Sequence, residues 1–347
     1  MNPGSITTKF AVYRNEACVL REEVYHAEGE RDAPLSEQLD IRLNAILQTL
    51  KQVRGLPALS AVVGRGGLLP PVRTGGYEIN PKMLADLERT AVPHASNLGA
   101  PIAARIAVPL GIPAWIYDAV SASDFLPVAA VTGFPEIFRQ SRCHVLNSRA
   151  VAQLAAAQMG KSYTALCFVV AHLGGGFSFS AHCYGKMIDT SADDDGAFSP
   201  ERSGGAPLLE VIHLCYSGRY TEEELQKKVR GKGGLRAHLE TSDCRVVEQR
   251  IAAGDKRARL IYEAMAYQAA KGIMMMAGAL KGQVDGILLT GGAARSPYFT
   301  GMIADAVRFV APVQVFPGER ELEALAMGGL RILRGEEKVR EYCGAET

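Results

Sequence analysis

The sequence predicts an α/β protein of two domains with mostly parallel sheets. Three observations carry the prediction. Short apolar runs typical of buried strands alternate with amphipathic helical stretches. A small-residue turn leading into a strand occurs once at the N-terminus and again near the middle, as a duplicated domain would give. The 347 residues, 48% of them hydrophobic, are also more than one core usually organises.

The elements follow in chain order. In MNPGSITTKFAVY, Asn2-Pro3-Gly4-Ser5 reads as a tight turn and Lys9 to Tyr13 as a strand. A turn followed by a strand is the second half of a β-hairpin, so the first strand is expected to be missing. Its neighbours would then carry unpaired backbone groups, each costing about 1–3 kcal/mol if buried. Of a start codon assigned too far downstream, a truncated chain and a viable variant, the first is preferred. Residues 36–50 place Leu39, Leu43, Ile46, Leu47 and Leu50 on one helical face, with Ser36 as N-cap. Apolar strands are predicted at 58–63 and 114–117. An Ala-rich helix at 148–159 ends on Gly160. The second copy of the turn motif follows, with a strand at 165–171, Gly174-Gly175-Gly176 at the turn and a strand through Phe177 to His182. Residues 256–280 read as one long helix or two, and strands are predicted at 286–290 and 313–316.

Composition narrows the class. With 38 Lys and Arg against 37 Asp and Glu, and no basic stripe, nucleic acid is not the expected partner. Seven cysteines without a C-x-x-C pair read as free thiols in a reducing compartment. Polar residues interrupt the N-terminus early, unlike a signal peptide. The apolar run from Gly272 to Leu280 lies between two lysines, far short of the ~20 residues that span a bilayer. The expectation is a cytoplasmic protein with no membrane partner.

Several motifs could carry chemistry. Asn2-Pro3-Gly4-Ser5 can bring backbone N–H groups and the Asn2 and Ser5 side chains to a phosphate, or be an ordinary turn. Gly174, Gly175 and Gly176 in AHLGGGFSFS leave backbone amides unshielded by any Cβ, which suits phosphate oxygens or a strained hairpin. The segment matches neither a P-loop nor G-x-G-x-x-G. In LLTGGAARSPYF an apolar strand runs into Gly291-Gly292, where a nucleotide lies in open α/β sheets. Arg202 in FSPERSGG is a loop arginine able to clamp phosphate or carboxylate, or to face solvent. Arg65 in VVGRGGLLPP is a strand-end cation between glycines. Asp118 ends an apolar strand, and His94, His144 and His172 complete the set without any i,i+4 zinc spacing. Taken together, these favour phosphoryl transfer, which is mainly positioning and charge neutralisation.

NPGSITTK, VVGRGGLLPP, HASNLGAPIA, VAHLGGGFSFSAHCYGKMID, FSPERSGG, GKGGL and LLTGGAARS, in this order over almost the whole chain, resemble the acetokinase family in its butyrate kinase branch. The resemblance implies two actin/Hsp70/hexokinase-like lobes with duplicated ribonuclease H-like domains around a cleft. The lobes are expected at 1–145 and 146–321, with a helix at about 322–347 packing back on the first. ATP, Mg²⁺ and direct transfer of a phosphoryl group to a short-chain carboxylate are implied, as is a homodimer by analogy. Asn2 and Ser5 would lie in the first phosphate loop, His172 and Gly174–Gly176 in the second, and Gly291 and Gly292 on the adenosine side. His144 and Arg202 would stabilise the transferring group. Asp118 would lie near its path, Arg65 would hold the acceptor carboxylate, and His94 matches the histidine of H-x-x-N-L.

The chain departs from the family at PGERELEALA, where Arg320 stands in place of the usual asparagine. That leaves Glu321 and Glu319 as equal candidates on the metal side. DTSADDDGAFSPERSG also differs in detail from the usual version. Two other readings stay open: a nucleotide-binding protein of this fold that no longer catalyses, and a sugar kinase, which would want an aspartate base for a neutral hydroxyl.

Overall fold

The computed structural model describes residues 1–90, 94–192 and 194–344. They form two compact units, Met1–Ser123 with Arg320–Thr347, and Asp124–Glu319. The first division comes earlier than residue 145. The Leu126 N–H bonds the Ile188 carbonyl at 3.1 Å, and Arg139 reaches Asp189 at 3.0 Å and Asp195 at 3.1 Å, so residues 124–145 belong with the second unit.

In the first unit β1 (Asn2–Pro3), β2 (Thr7–Arg14) and β3 (Ala17–Tyr25) form an antiparallel meander. A second group has β4 (Val62–Arg65) parallel to β6 (Ala114–Tyr117), with β5 (Gly76–Glu78) antiparallel to β6. Met1 joins the two groups. Its amine donates to the Val63 carbonyl at 2.8 Å, and the Arg65 N–H donates to the Met1 carbonyl at 2.9 Å, in the parallel pattern. Met1–Pro3 lies between β2 and β4 and pairs only the start of β2, Asn2 with Lys9 and Pro3 with Thr8; alongside the rest of β2, where the missing strand is expected, is a cavity of about 250 Å³ lined by Met1, Val12, Tyr13, Leu59 and Val63.

The helix Leu35–Gln52 covers this sheet through Leu43 and Ile46, which cluster with Phe10, Val62 and Ile102. Its N-cap is Pro34, not Ser36. The Pro34 carbonyl already accepts from the N–H groups of Glu37 and Gln38, which places Ser36 inside the first turn. The helix also carries Arg42, 1% exposed, whose Nη1 bonds the Gly4 carbonyl at 3.0 Å and the Thr8 hydroxyl at 2.8 Å. A buried guanidinium thus braces the turn after β1, satisfying a carbonyl that the irregular backbone leaves unpaired.

The second unit repeats the plan. β7 (Cys167–Leu173), β8 (Phe177–Cys183) and β9 (Lys186–Ser191) form an antiparallel meander, and β10 (Gly286–Gly291) and β11 (Val313–Pro317) add in parallel, giving the order β11-β10-β7-β8-β9. β7 is buried on both faces, hence its apolar run from Cys167 to Ala171. Cys167, Val169, Ala171 and Leu173 face the cluster that includes Tyr262, Met265 and Ile273. Phe168 and Val170 face Val151, Ala152 and Ala155 of the helix Val145–Gln158. Residues 256–280 form a single helix, Lys256–Ala279, capped by the Asp255 carboxylate on the Ala258 N–H. No helix of the described residues is long and apolar enough to cross a membrane.

One core group ties stability to pH. His182 is fully buried on β8, with Nδ1 2.7 Å from the Tyr163 hydroxyl and Nε2 2.8 Å from Ser180 Oγ. Burial, then the charge of Arg149, push its pKa down to about 3. Below the ordinary histidine value of about 6.5, the unfolded chain takes up a proton that the folded chain refuses. Stability is therefore expected to fall as pH drops from about 6.5 toward 3, by up to ~1.4 kcal/mol per unit from this group. Thermal melts of wild type and His182→Gln from neutral to mildly acidic pH test this. A shallower acid slope in the variant is expected, and identical slopes would clear His182 of the effect.

Candidate active site

In the first unit the candidate residues gather at strand ends. Arg65 closes β4, and its Nη1 lies 3.1 Å from Asn2 Oδ1 and 3.0 Å from Glu321 Oε1. The Asn2 amide donates to the other Glu321 oxygen, so the two side chains and the guanidinium form a closed triad. Glu321 begins the helix Glu321–Leu333, where a carboxylate suits the positive end of the helix dipole. Arg320 turns aside to Glu323, 2.9 Å away, and leaves Glu321 to Arg65. The Arg65 Nε is buried and bonds nothing among the described residues. A buried unsatisfied donor on a guanidinium is a ready partner for an anion.

Glycine makes this corner possible. A Cβ on Gly64 would lie 2.3 Å from the Gly99 carbonyl oxygen, and one on Gly99 would lie 2.1 Å from that of Arg65. Only bare backbone lets the helix Gly99–Ala107 start against β4. The preceding turn carries His94, whose Nδ1 is 2.5 Å from Ser96 Oγ. Desolvation by the surrounding loop, then the charge of Arg65, lower the His94 pKa and favour the neutral ring. Residues 91–93 of this motif lie outside the described residues. Asp118 follows β6 with a φ of 46° and is 1% exposed. Its Oδ1 accepts from the Gly75 N–H at 2.8 Å, and its own N–H donates to the Gly75 carbonyl at 3.0 Å. A non-glycine residue held at positive φ is stored strain of the kind that collects at functional sites. Ser5 is exposed on the turn after β1.

In the second unit His144 and His172 stack face to face, ring centres 3.7 Å apart and planes 6° from parallel. The strand period accounts for this: His172 shares its face of β7 with Phe168 and Val170, toward the helix that His144 caps. Ser178 Oγ, across the hairpin on β8, holds His144 Nδ1 at 3.0 Å. The protonation of His172 follows from its neighbours. The Thr290 hydroxyl donates to the Gly318 carbonyl at 3.0 Å, so it accepts from the Asn147 amide at 3.2 Å. The same amide nitrogen lies 2.9 Å from His172 Nδ1, which must accept. The neutral ring therefore carries its proton on Nε2, which lies 3.8 Å from Glu319 Oε1 and beside Gly174.

The glycine turn is built around that ring. A Cβ on Gly174 would come within 2.8 Å of His172 Nε2. The Gly175 carbonyl accepts from Ser199 Oγ at 2.8 Å and from the Glu201 N–H at 3.0 Å, tying the loop of Arg202 to the turn. Arg202 bonds Ser199 in both directions, N–H to Oγ and carbonyl to N–H, each at 3.1 Å. GKGGL packs under this loop, where a Cβ on Gly234 would fall 1.6 Å from the Ser199 carbonyl oxygen. At the end of β10, Gly291 exchanges two backbone hydrogen bonds with Gly318. Gly174, Gly175 and Gly292 line a cavity of about 560 Å³ with Pro200, Asp243, Arg245, Glu248 and Arg295.

The residues matched over most of the chain then decide the family. Butyrate kinase 1 of Clostridium acetobutylicum is 44% identical over 348 aligned positions, covering 99% of this chain and 98% of that protein. Residues 137–299 match the model of the acetokinase family. The chain belongs to the acetokinase family. The family fold is matched by a crystal structure of acetate kinase from Porphyromonas gingivalis, with a TM-score of 0.81 at 20% identity over 96% of this chain and 98% of that one. A ROK family protein from Streptococcus pneumoniae, solved with sucrose, is more distant at a TM-score of 0.51 and 13% identity over 97% and 98%. The expected actin/Hsp70/hexokinase-like architecture holds.

Within this acetokinase-family chain, Asn2, Arg65 and Glu321 come together, as do His144, His172 and the turn Gly174–Gly176. The sequence reading missed Arg42, Asn147, Ser178 and Thr290. Asn147, three residues after His144, had a helical-spacing signal. Arg42 and Thr290 had none, since each is defined by a partner distant in the chain.

Proposed function

We propose that this protein transfers the γ-phosphoryl group of ATP, reversibly and in line, to the carboxylate of a short-chain fatty acid, butyrate or a branched analogue. The observation that carries this reading is the Asn2–Arg65–Glu321 triad with its buried Arg65 Nε, unbonded among the described residues, in a chain of this family. A carboxylate acceptor is already anionic, so it needs no base. The obstacle is repulsion between two anions, which positioned cations and N–H groups offset.

Arg65 holds the acceptor carboxylate, with His94 beside it as a neutral donor. Glu321 and Asn2 fix the guanidinium so that little reorganisation accompanies binding. Asp118 acts near the phosphoryl path. In the second unit His172, its Nε2–H fixed by Asn147, and the amides of Gly174, Gly175 and Gly176 receive ATP phosphates, and Ser5 and Asn2 belong to the first phosphate loop. His144 and Arg202 bind the charge on the transferring group. The cavity lined by Gly292, Asp243, Arg245 and Glu248 suits a nucleoside in volume and in its few polar groups, with Gly291 shaping the turn.

Mg²⁺ fits this set. No three acidic, His or Cys side chains among the described residues form a metal cage, and Mg²⁺ bound chiefly by phosphates needs only one or two carboxylates. Glu319, 45% exposed, is the better candidate, because both Glu321 oxygens are already engaged. When bound, the ion would screen phosphate charge. We further propose a cytoplasmic homodimer. The apolar helix Leu208–Cys215, none of whose residues is buried, supports a second copy as partner.

The test is hydroxylamine trapping of acyl phosphate with Mg-ATP and a panel of acetate, propionate, butyrate, isobutyrate, isovalerate, glycerol and glucose. Hydroxamate from the C3–C5 acids, and no ADP release with the neutral alcohols, is expected. ADP formed only with glycerol or glucose would favour a sugar kinase. ATP binding without turnover on any acceptor would favour the binding-only reading.

A further inference from the structure

Of the seven free cysteines, two stand opposite each other. Cys167 opens β7, Cys183 ends β8, and the antiparallel register pairs them directly. Their sulfurs are 2.9 Å apart. The pair is of the non-hydrogen-bonded kind, since the Cys167 N–H goes to Asp285 Oδ2 and the adjacent Tyr184 N–H to the Leu166 carbonyl. Such pairs bring Cα atoms to about 4.5 Å with side chains closest together, within the range a disulfide spans. No strand needs to move far for the bond to close.

The other five thiols lack this arrangement. Cys18, Cys215 and Cys343 are exposed, the buried Cys143 lies on the Met187 thioether at 3.5 Å, and Cys244 lies beside Tyr262.

We propose that Cys167 and Cys183 are a redox modification site that closes to a cross-strand disulfide in the presence of a small-molecule disulfide such as oxidised glutathione. Half-buried Cys183 sits next to the exposed turn residue Tyr184 and reacts first. Its thiolate attacks one sulfur of the oxidant, forming a mixed disulfide and releasing one glutathione thiolate. The Cys167 thiolate, its proton lost to water, then attacks Cys183 Sγ. The second glutathione leaves, so two protein thiols are oxidised as one disulfide is reduced to two thiols. Burial, then Cys183, raise the Cys167 pKa to about 12, which slows its ionisation and makes contact with its partner decisive.

The site has a structural consequence. β7 carries His172 near its far end and β8 carries Ser178 near its start, so the cysteines close the opposite end of the hairpin that holds the stacked histidines. The bond would staple that hairpin without touching the glycine turn.

The experiment incubates the native full-length chain with oxidised glutathione, caps remaining thiols with iodoacetamide and maps peptides by mass. The expected result is a linked Cys167–Cys183 peptide carrying no glutathione, distinct from any glutathione mapped on the exposed Cys18, Cys215 and Cys343, with a melting temperature higher by about 5–10 °C that dithiothreitol reverses. Cys167→Ser should stop at glutathione on Cys183, and Cys183→Ser should leave Cys167 unmodified. Seven intact thiols in the wild type, or glutathione on Cys183 that never passes to Cys167, would overturn the proposal. The wild-type map reads this whether or not the variants fold.

Discussion

Arg65→Ala is expected to lower kcat/KM for the carboxylate by about 100-fold or more, equivalent to roughly 3 kcal/mol of transition-state stabilisation. Two effects combine. On the proposed role of Arg65 the acceptor loses its charged partner, and Glu321, its side chain 11% exposed, keeps a charge held by Asn2. Breaking a largely buried pair from one side costs about 3–5 kcal/mol at most, discounted here for the partial exposure of Arg65. The melting temperature should therefore fall as well. The double variant Arg65→Ala/Glu321→Gln separates the effects, because it removes the stranded charge without restoring the acceptor site. It should regain most of the lost stability and none of the activity. Arg65→Lys should rescue poorly, since one ammonium cannot serve Asn2, Glu321 and a substrate anion with the geometry of a guanidinium. Steady-state kinetics with varied carboxylate, alongside thermal melts, give both readouts. Full activity in Arg65→Ala would take the acceptor away from this triad.

Gly291→Ala should destabilise the protein by about 3 kcal/mol or more, whereas Gly292→Ala should change stability by less than ~0.5 kcal/mol. The two glycines are neighbours in sequence and opposites in structure. Gly291 has a φ of 96°, and its Cβ would fall 2.6 Å from the backbone carbonyl of Leu173 at the end of β7. Gly292 has an ordinary φ of −64° and open space around its Cβ position. Relief of the first clash would part β10 from β7. It would also strain the Gly291–Gly318 pair, on which the Thr290–Asn147–His172 chain depends. Weaker ATP binding should accompany the loss of stability in Gly291→Ala. In Gly292→Ala any change should be confined to ATP affinity, because Gly292 lines the cavity. Calorimetric titration with ATP and melts of both variants check this, and equal melts would mean that the strand end relaxes around the added methyl group.

Much of this protein is legible in its letters because it depends on local periodicity and composition. The apolar run of β7 marks a strand buried on both faces, and the Leu39–Leu50 stripe marks a helix with one buried face. The repeated turn motif foretells a repeated topology. The glycines at 174–176 and 291–292 announce close backbone approach, and the ordered motifs lead to the family. The letters do not rank those glycines, and they place Asn2 in a phosphate turn without sign of its bonds to Arg65 and Glu321. Met1–Pro3, too short to read as a strand, becomes one only when β2 and β4 flank it. Tertiary structure alone decides which partners distant in the chain meet: Glu321 with Arg65 and Asn2, Arg42 with the Gly4 carbonyl, Thr290 with Asn147. Periodicity determines which face a side chain takes, but hydrogen bonds act over about 3 Å. Which two faces come that close is settled only when the sheets assemble and the helices pack on them.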